Sequence, residues 1–516
     1  MAELDSQIAQ VHSQLVELAQ KRNDLKAKIN QRHDPFIHHL PVELSSKIFL
    51  HYVRRVYGTF NPREAAYRKF KRDWAPALFL SSICSTWRKI AFATSQLWRT
   101  IKIPLMQDDP DVDLKIKLLN DCVDRAGQRT LFIGVFQLQL YDSPHFSQLE
   151  DKLESLIPLF AAIKEVARRS KKLDLWGLPP LPLEYIIPTD APNLNAVKIE
   201  EAFREYEEDD DESDSDYGGG PIGWNDGDIC LAGPRLRNLT FRSGAGALLK
   251  FTQIKWKTVK TITMRATRIT VQEALDILRQ ASRLISCSLA FDNTGAHTSI
   301  TPPIINSTLK KLRIDSGSRL NSLEMFVNSV TLPSLLDFSL QTRILPDMQP
   351  LFDRSQCQVQ TLSLTLQGNV PEEHVLRLLR NLPSVEHFDL DIHTHTREPV
   401  TNKFFEAFRD PRFASTGASA DPLLPQLTSF SYIGAMHFTW PALLEMFGDV
   451  AVHPAGRPLS KVSLKLDLPK GIIGDLDVVA RFRQIQQSEI KLVVTDLEGK
   501  DLLSASNPEQ CVEDQI

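Results

Sequence analysis

The sequence predicts an α/β chain: a long N-terminal helix and a small helical bundle, followed by a curved solenoid built on a parallel sheet. Three patterns predict it. An apolar seam with heptad spacing opens the chain, two short stretches rich in large apolar residues come next, and a strand-and-helix beat fills most of residues 171–500. The expected divisions are a heptad helix over 1–33, a bundle over 34–103 with an insertion at 54–76, a connecting α/β region over 104–170, the solenoid over 171–500 and a tail over 501–516.

In the first segment Leu4, Ile8, Val11, Leu15, Leu18, Leu25 and Ile29 alternate steps of three and four, with Arg22 at the one polar seam position. That spacing puts them on one stripe of a helix, which must lie against something. A coiled-coil dimer and a helix folded back on the bundle both satisfy it. Asp34-Pro35 ends the helix, because the residue before proline disfavours helical angles.

The bundle is announced by LPVELSSKIF (Leu40–Phe49) and CSTWRKIAFATSQLWRTIKI (Cys84–Ile103). Pro41 and Glu43 suit the first turn of a helix. Leu40, Leu44, Ile48 and Val53 follow helical spacing, and Ile83, Trp87, Ile90 and Ala91 repeat it before Leu97 and Trp98. A bundle this small buries a modest core, so surplus large apolar groups point to a helix-packing interface. The spacer interleaves Arg54, Arg55, Arg63, Arg68, Lys69, Lys71 and Arg72 with Tyr57, Phe60, Tyr67, Phe70 and Trp74. Such interleaving could grip single-stranded nucleic acid. Because the whole chain is not basic, aromatics bracing the bundle are the preferred reading and no nucleic acid is expected.

This pattern, LPxEL…IF, a spacer, then C-x-x-WR-x-IA-x-x-T-x-x-LW, resembles the F-box in the form common in fungal proteins. Leu40, Pro41, Glu43, Leu44, Ile48, Phe49, Cys84, Trp87, Arg88, Ile90, Ala91, Thr94, Leu97 and Trp98 carry the likeness. Ser95 stands where that family more often has proline, and the spacer is longer than its usual loop. The resemblance implies docking to the Skp-type adaptor of a cullin ubiquitin ligase, while the rest of the chain recruits a protein substrate. The adaptor-binding residues it implies are Leu40, Pro41, Glu43, Leu44, Ile48, Phe49, Ile83, Trp87, Ile90, Leu97 and Trp98. The alternative is a helical subdomain that only packs on the C-terminal domain, leaving an interaction scaffold unconnected to ubiquitin ligation.

The solenoid is read from a beat of apolar-x-x-apolar-x-apolar. It starts at Leu194, Leu236, Val259, Leu284, Leu309, Leu335, Val359, Val385, Leu427 and Leu459, and from Leu236 to Val385 the steps are 23 to 26 residues. Between beats lie helical segments such as 271–281, 322–330 and 372–382. A strand and a helix at this period resemble the leucine-rich repeat, with parallel strands inside and helices outside. The Asn/Cys position of that family is mostly lacking. A single α/β domain with parallel strands is the alternative. Upstream, 113–127 reads as an amphipathic helix ended by glycine, and 129–138 as a strand.

The x positions of the beats point away from the core. Arg313, Ser339, Ser363, Asp389 and Asp391 are therefore the candidate substrate-binding residues. In HFDLDIHTHT (His387–Thr396), His387, Asp389, Asp391, His393 and His395 share one face. A divalent metal is conceivable there, but a polar recognition surface is the preferred reading, and no metal or cofactor is expected. Between the first two beats nine acidic residues fall among the twelve from Glu205 to Asp216. Such density repels itself, so about 204–228 reads as a disordered loop, with Ser213 and Ser215 in an acidic context.

Composition bounds the rest. With 516 residues, a net charge of −4 and 42% hydrophobic residues, the chain reads as an ordinary soluble protein of two or more domains. No apolar run approaches the roughly 18 residues a membrane span needs, and MAELDSQIAQ has no secretion-signal pattern. Six scattered cysteines without CxxC pairing fit reduced thiols of the cytosol or nucleus. There is no GxSxG, GxxxxGK[ST], GxGxxG after a strand, or HExxH. A receptor that makes no bonds itself is expected. A hydrolase or transferase with an unfamiliar site is the rival, to be recognised by an enclosed pocket with convergent polar groups.

Overall fold

The structure, a computed structural model, describes residues 2–32, 40–59, 75–105, 111–137, 153–178, 180–200, 229–231, 233–242, 252–291, 303–316, 320–368, 370–392, 400–408, 423–447, 458–467, 476–487 and 490–503. Asp34-Pro35, most of the 54–76 spacer, the acidic run, His393, His395 and the tail beyond residue 503 lie outside the described residues. The chain forms two compact units, residues 1–236 with 251–254, and 237–250 with 255–516.

The first unit opens with α1 (Ala2–Arg32). Its seam is open: Ile8, Val11, Leu15, Leu18, Leu25 and Ile29 are all exposed, Leu15 by 60%. No fold-back onto the bundle occurs among the described residues. Helix α2 (Val42–Thr59) starts directly after Pro41 with Glu43 in its first turn. It runs past residue 54, where the insertion was expected to begin, because its buried face continues. Val53 is buried, and the Tyr57 hydroxyl donates to the Thr100 carbonyl oxygen at 3.1 Å.

The single stripe expected from Ile83 to Ala91 is two helices, α3 (Pro76–Ile83) and α4 (Ser85–Ala93). The break is Cys84. Its backbone is extended, and its Sγ accepts the Trp87 N–H at 3.4 Å, so a thiol caps α4 where Ser or Asp usually would. A 3-10 turn over Ser95–Trp98 then feeds β1 (Thr100–Leu105).

Next come α5 (Val112–Ala126), β2 (Leu131–Gln137), α6 (Leu153–Ala167), β3 (Ser170–Trp176), α7 (Pro180–Ile186) and β4 (Ala196–Glu200). Asp111 caps the start of α5, and Gly127, with φ 60°, takes the left-handed turn that ends it. Strands β1 to β4 pair in chain order, all parallel. Parallel pairing therefore starts at Thr100, well before the expected solenoid boundary at 171. The stretch read as a connector supplies part of that sheet. Its strands were harder to recognise as repeats because β2 is nearly continuous in apolar residues and gives no beat.

Among the described residues, the second unit has ten strands in one parallel run: β5 (Asn238–Arg242), β6 (Thr261–Ile269), β7 (Ser286–Phe291), β8 (Lys311–Ser316), β9 (Asp337–Thr342), β10 (Thr361–Leu366), β11 (His387–Ile392), β12 (Ser429–Ala435), β13 (Lys461–Asp467) and β14 (Lys491–Asp496). Each is parallel to the next. Helices between them include α8 (Val271–Gln280), α9 (Leu320–Ser329), α10 (Gln349–Ser355) and α11 (Glu372–Arg380). Further on come α12 (Asn402–Glu406), α13 (Trp440–Glu445) and α14 (Leu476–Gln487). The segment expected to be helical to Val330 ends at Ser329, and Val330–Thr331 forms a short strand with Ile304–Ile305.

All beat residues from Leu236 to Tyr432 are buried, as are Val462 and Leu464, while Leu459 is half-buried. Backbone hydrogen bonds tie each strand entry to the one before it. The carbonyls of Lys260, Ile285, Lys310, Leu336, Gln360, Glu386 and Thr428 each accept two successive N–H groups at the entry of the next strand, at 2.8 to 3.1 Å. Pairing carbonyls and amides this way satisfies groups that burial would otherwise leave costly. Register holds from β7 to β13 and slips once, between β6 and β7 after Thr263. Buried Asn306 adds to these ties before β8: it donates to the Leu278 and Ala281 carbonyls and accepts the Thr308 and Leu309 N–H groups.

Candidate functional site

In the first unit, helices α2, α3 and α4 separate two sets of apolar residues. Ser45, Phe49 and Val53 face inward with Leu80, Ile90, Ala91, Leu97 and Trp98. The Phe49 and Trp87 rings meet at 4.8 Å between centroids, and the Trp98 indole N–H donates to the Ala91 carbonyl at 2.8 Å. Arg88 Nε donates to the Ser81 carbonyl at 2.9 Å, tying α4 to α3. A side-chain hydrogen bond of 2.9 Å joins Ser46 to Thr94.

The second set points outward. Leu44, Ile48 and Tyr52 are one helical turn apart and exposed by 45%, 48% and 36%. Phe79 and Ile83 repeat that spacing on α3, also exposed, and the Tyr52 and Phe79 rings approach to 6.4 Å, so the two rows join. Pro41 and Val42 extend the face at its start, with Glu43 exposed beside it and Leu40 half-exposed.

Of the residues that sequence marked for adaptor contact, Leu40, Pro41, Glu43, Leu44, Ile48 and Ile83 are accessible. Phe49, Ile90, Leu97 and Trp98 are not: they are the bundle's own core, and Trp87 is half-buried against Phe49. They hold the shape of the face without forming it. Tyr52 and Phe79 were missed, although Tyr52 continues the Leu44–Ile48 spacing and Phe79 precedes Ile83 by one turn.

In the second unit the outward strand positions line up by register. Ser288, Arg313, Ser339, Ser363, Asp389, Ser431 and Ser463 form one row across β7 to β13. Four of the five expected substrate-binding residues thus share a single row, and Asp391 lies in the next one, beside Thr365. Arg313 and Asp389 are exposed and the serines half-exposed, leaving a low polar floor. Burial, the largest influence, raises the carboxyl pKa of Asp389, opposed by the charges of Lys461 and His387. Among the described residues no group of three or more His, Cys, Asp and Glu is placed to hold a metal ion. No described helix is long and apolar enough to cross a membrane.

No protein family model matches the chain, and no curated protein does. Among solved structures it is similar to a chain in the crystal structure of a TLR13–ssRNA13 complex, at 13% identity and a TM-score of 0.28, covering 60% of this chain and 45% of that one. The chain thus spans under half the length of that neighbour, and a likeness this slight has no bearing on function.

Proposed function

We propose that the chain is a non-catalytic recognition subunit: the helical bundle docks an adaptor, and the strand array binds a protein substrate. The observation that carries this reading is the apolar face of Leu44, Ile48, Tyr52, Phe79 and Ile83, standing outside the buried core of the described helices. Contiguous large apolar groups in water are unfavourable unless a partner covers them. Two of its five residues, Leu44 and Ile48, belong to the motif that resembles an F-box, which supports a Skp-type adaptor of a cullin ubiquitin ligase as the partner. The polar row through Arg313, Ser339, Ser363 and Asp389 offers hydrogen bonds and paired charges to a polypeptide, with no chemistry of its own. Ubiquitin transfer would then depend on positioning by the other ligase subunits, in the cytosol or nucleus.

A pull-down of the full chain with a purified Skp-type adaptor tests it. Wild type should bind, and a Leu44→Asp, Ile48→Asp double variant should lose binding by a factor of about 100 or more, as expected for hot-spot positions. Both side chains lie outside the core, so the variant should melt like wild type. If wild type fails to bind, the ligase reading is wrong and the chain is an interaction scaffold built on its strand array.

A further inference from the structure

A second surface, on the outward face of β1 to β4, has a different chemistry. Register places Lys102, Gly134, Asp174 and Lys198 in one row across four adjacent strands, with Lys172 in the row beside it. They line a cavity of about 360 Å³ that Tyr57, Phe132 and Trp176 also wall. The volume lies in the range of small-molecule sites. Gly134 is what keeps the floor low, since a side chain there would rise between Lys102 and Asp174. The site also has a fixed wall: the hydrogen bond from Tyr57 to Thr100 anchors α2 against β1, and the Lys102 Nζ lies 4.8 Å from the Tyr57 ring centroid.

The charges are unequal. Three lysines line the cavity, and the Arg99 guanidinium stacks 4.4 Å over Phe132, one of its walls. Among the described residues, these four cations are met by Asp174, 3.7 Å from Lys172, and Glu200, 2.6 Å from Lys198. Positive charge is in excess beside flat aromatic rings. Burial, aided by Lys172 and Lys198 and opposed by Asp174, lowers the Lys102 pKa to about 8, so this ammonium gains from any anion brought to it.

We propose that this cavity binds a small flat anion, with an aromatic body against Tyr57, Phe132 and Trp176 and a phosphate monoester or carboxylate head on Lys102, Lys172 and Lys198. The site is separate from the adaptor face and does not rest on the ligase reading. Lysine suits such a head as a mobile point charge, and aromatic rings favour a planar body by stacking.

The test uses the full chain and pyridoxal 5′-phosphate, an aromatic phosphate monoester carrying an aldehyde. The neutral Lys102 amine adds to the aldehyde carbon, water leaves, and borohydride delivers hydride to the imine, leaving a stable secondary amine that peptide mass mapping locates. Lys102 should be the main labelled lysine, with a saturable rate about tenfold or more above that for 5′-deoxypyridoxal, which lacks the phosphate and keeps its aldehyde free. Phenyl phosphate or benzoate should protect it, and the better protector identifies the head. A phosphotyrosyl hexapeptide distinguishes sources: tighter protection than phenyl phosphate places the head on a polypeptide, and none makes the ligand a free small molecule. Lys172→Ser with Lys198→Ser should slow labelling about tenfold by removing attraction for the phosphate. Gly134→Leu, which fills the floor and leaves every lysine in place, should do the same. Equal rates with 5′-deoxypyridoxal and pyridoxal 5′-phosphate, label scattered over exposed lysines, or no effect from Gly134→Leu in a folded chain would each overturn the proposal.

Discussion

Two strand faces of this protein share a backbone plan and differ in what they present. On β1 to β4 the outward positions hold lysines, aromatic rings and one glycine, and the result is a walled, cationic hollow. On β7 to β13 the equivalent positions hold mainly serine, with Arg313 and Asp389 among them, and the result is a low polar floor. The inward positions of both are alike, buried and apolar. Parallel strands whose register holds through each of these rows fix where each side chain stands, while outward side chains contribute little to holding the stack. Those positions are therefore free to specialise, and the difference between the faces is a difference in what they can recognise.

The sharpest way to break this division is to attack an inward position. Phe388 is fully buried and its ring lies 5.8 Å from that of Phe430 in the next strand. Phe388→Ala should cost about 3–5 kcal/mol, since it removes a buried ring and leaves a cavity; urea unfolding measures it. A loss below about 1 kcal/mol, the range of an ordinary substitution, would show that the inward positions are not what holds the array.

A smaller effect of opposite sign is expected on the cationic face. The folded pKa of Lys102 is lowered to about 8 by burial from an ordinary value of 10.5. At pH 7 the lysine is charged in both folded and unfolded chains, and the fold bears the desolvation cost. Lys102→Met should then stabilise the protein at pH 7, by on the order of 1 kcal/mol once solvent screening at this partly exposed site is allowed for. Between about pH 8 and 10.5 the unfolded chain holds the proton more tightly, so wild-type stability gains on the variant and the gap closes. Denaturation curves of both proteins at pH 7 and pH 9.5 check this; a gap that widens with pH would contradict it.

The smallest effect belongs to the serine row. Ser363→Ala should change stability by less than about 0.5 kcal/mol, as surface substitutions do, measurable as a nearly unchanged melting temperature. A larger loss would mean that the row is part of the fold, which would blur the distinction between the faces.

Much of this architecture could be read without coordinates, for a physical reason. A repeat that buries the same three positions in every turn writes its period into the chain, and the beats from Leu236 onward have the burial their spacing implies. Helix boundaries marked by local chemistry were equally legible: Pro41 and Glu43 open α2, and Gly127 closes α5. Arg313, Ser339, Ser363 and Asp389 could be placed on one face because a strand alternates its side chains.

Other features arise only when distant segments meet. Ile48 and Phe49 are adjacent, large and apolar, yet one is 48% exposed and the other 1%. Packing of α2 against α3 and α4 makes that choice, and nothing in the residue types anticipates it. Cys84 divides two helices because its backbone is extended there, and its thiol caps the second by accepting the Trp87 N–H. The cationic hollow is further still from local sequence. Lys102, Gly134, Asp174 and Lys198 come from four separate strands, and only parallel register sets them side by side. Short-range spacing and alternation are properties of the chain itself, so the sequence by itself determined the repeat, the buried positions of its beats and the polar row. Which apolar residues remain outside the core, and which charges gather around one cavity, depend on contacts between segments far apart in the chain, and those the tertiary structure decided.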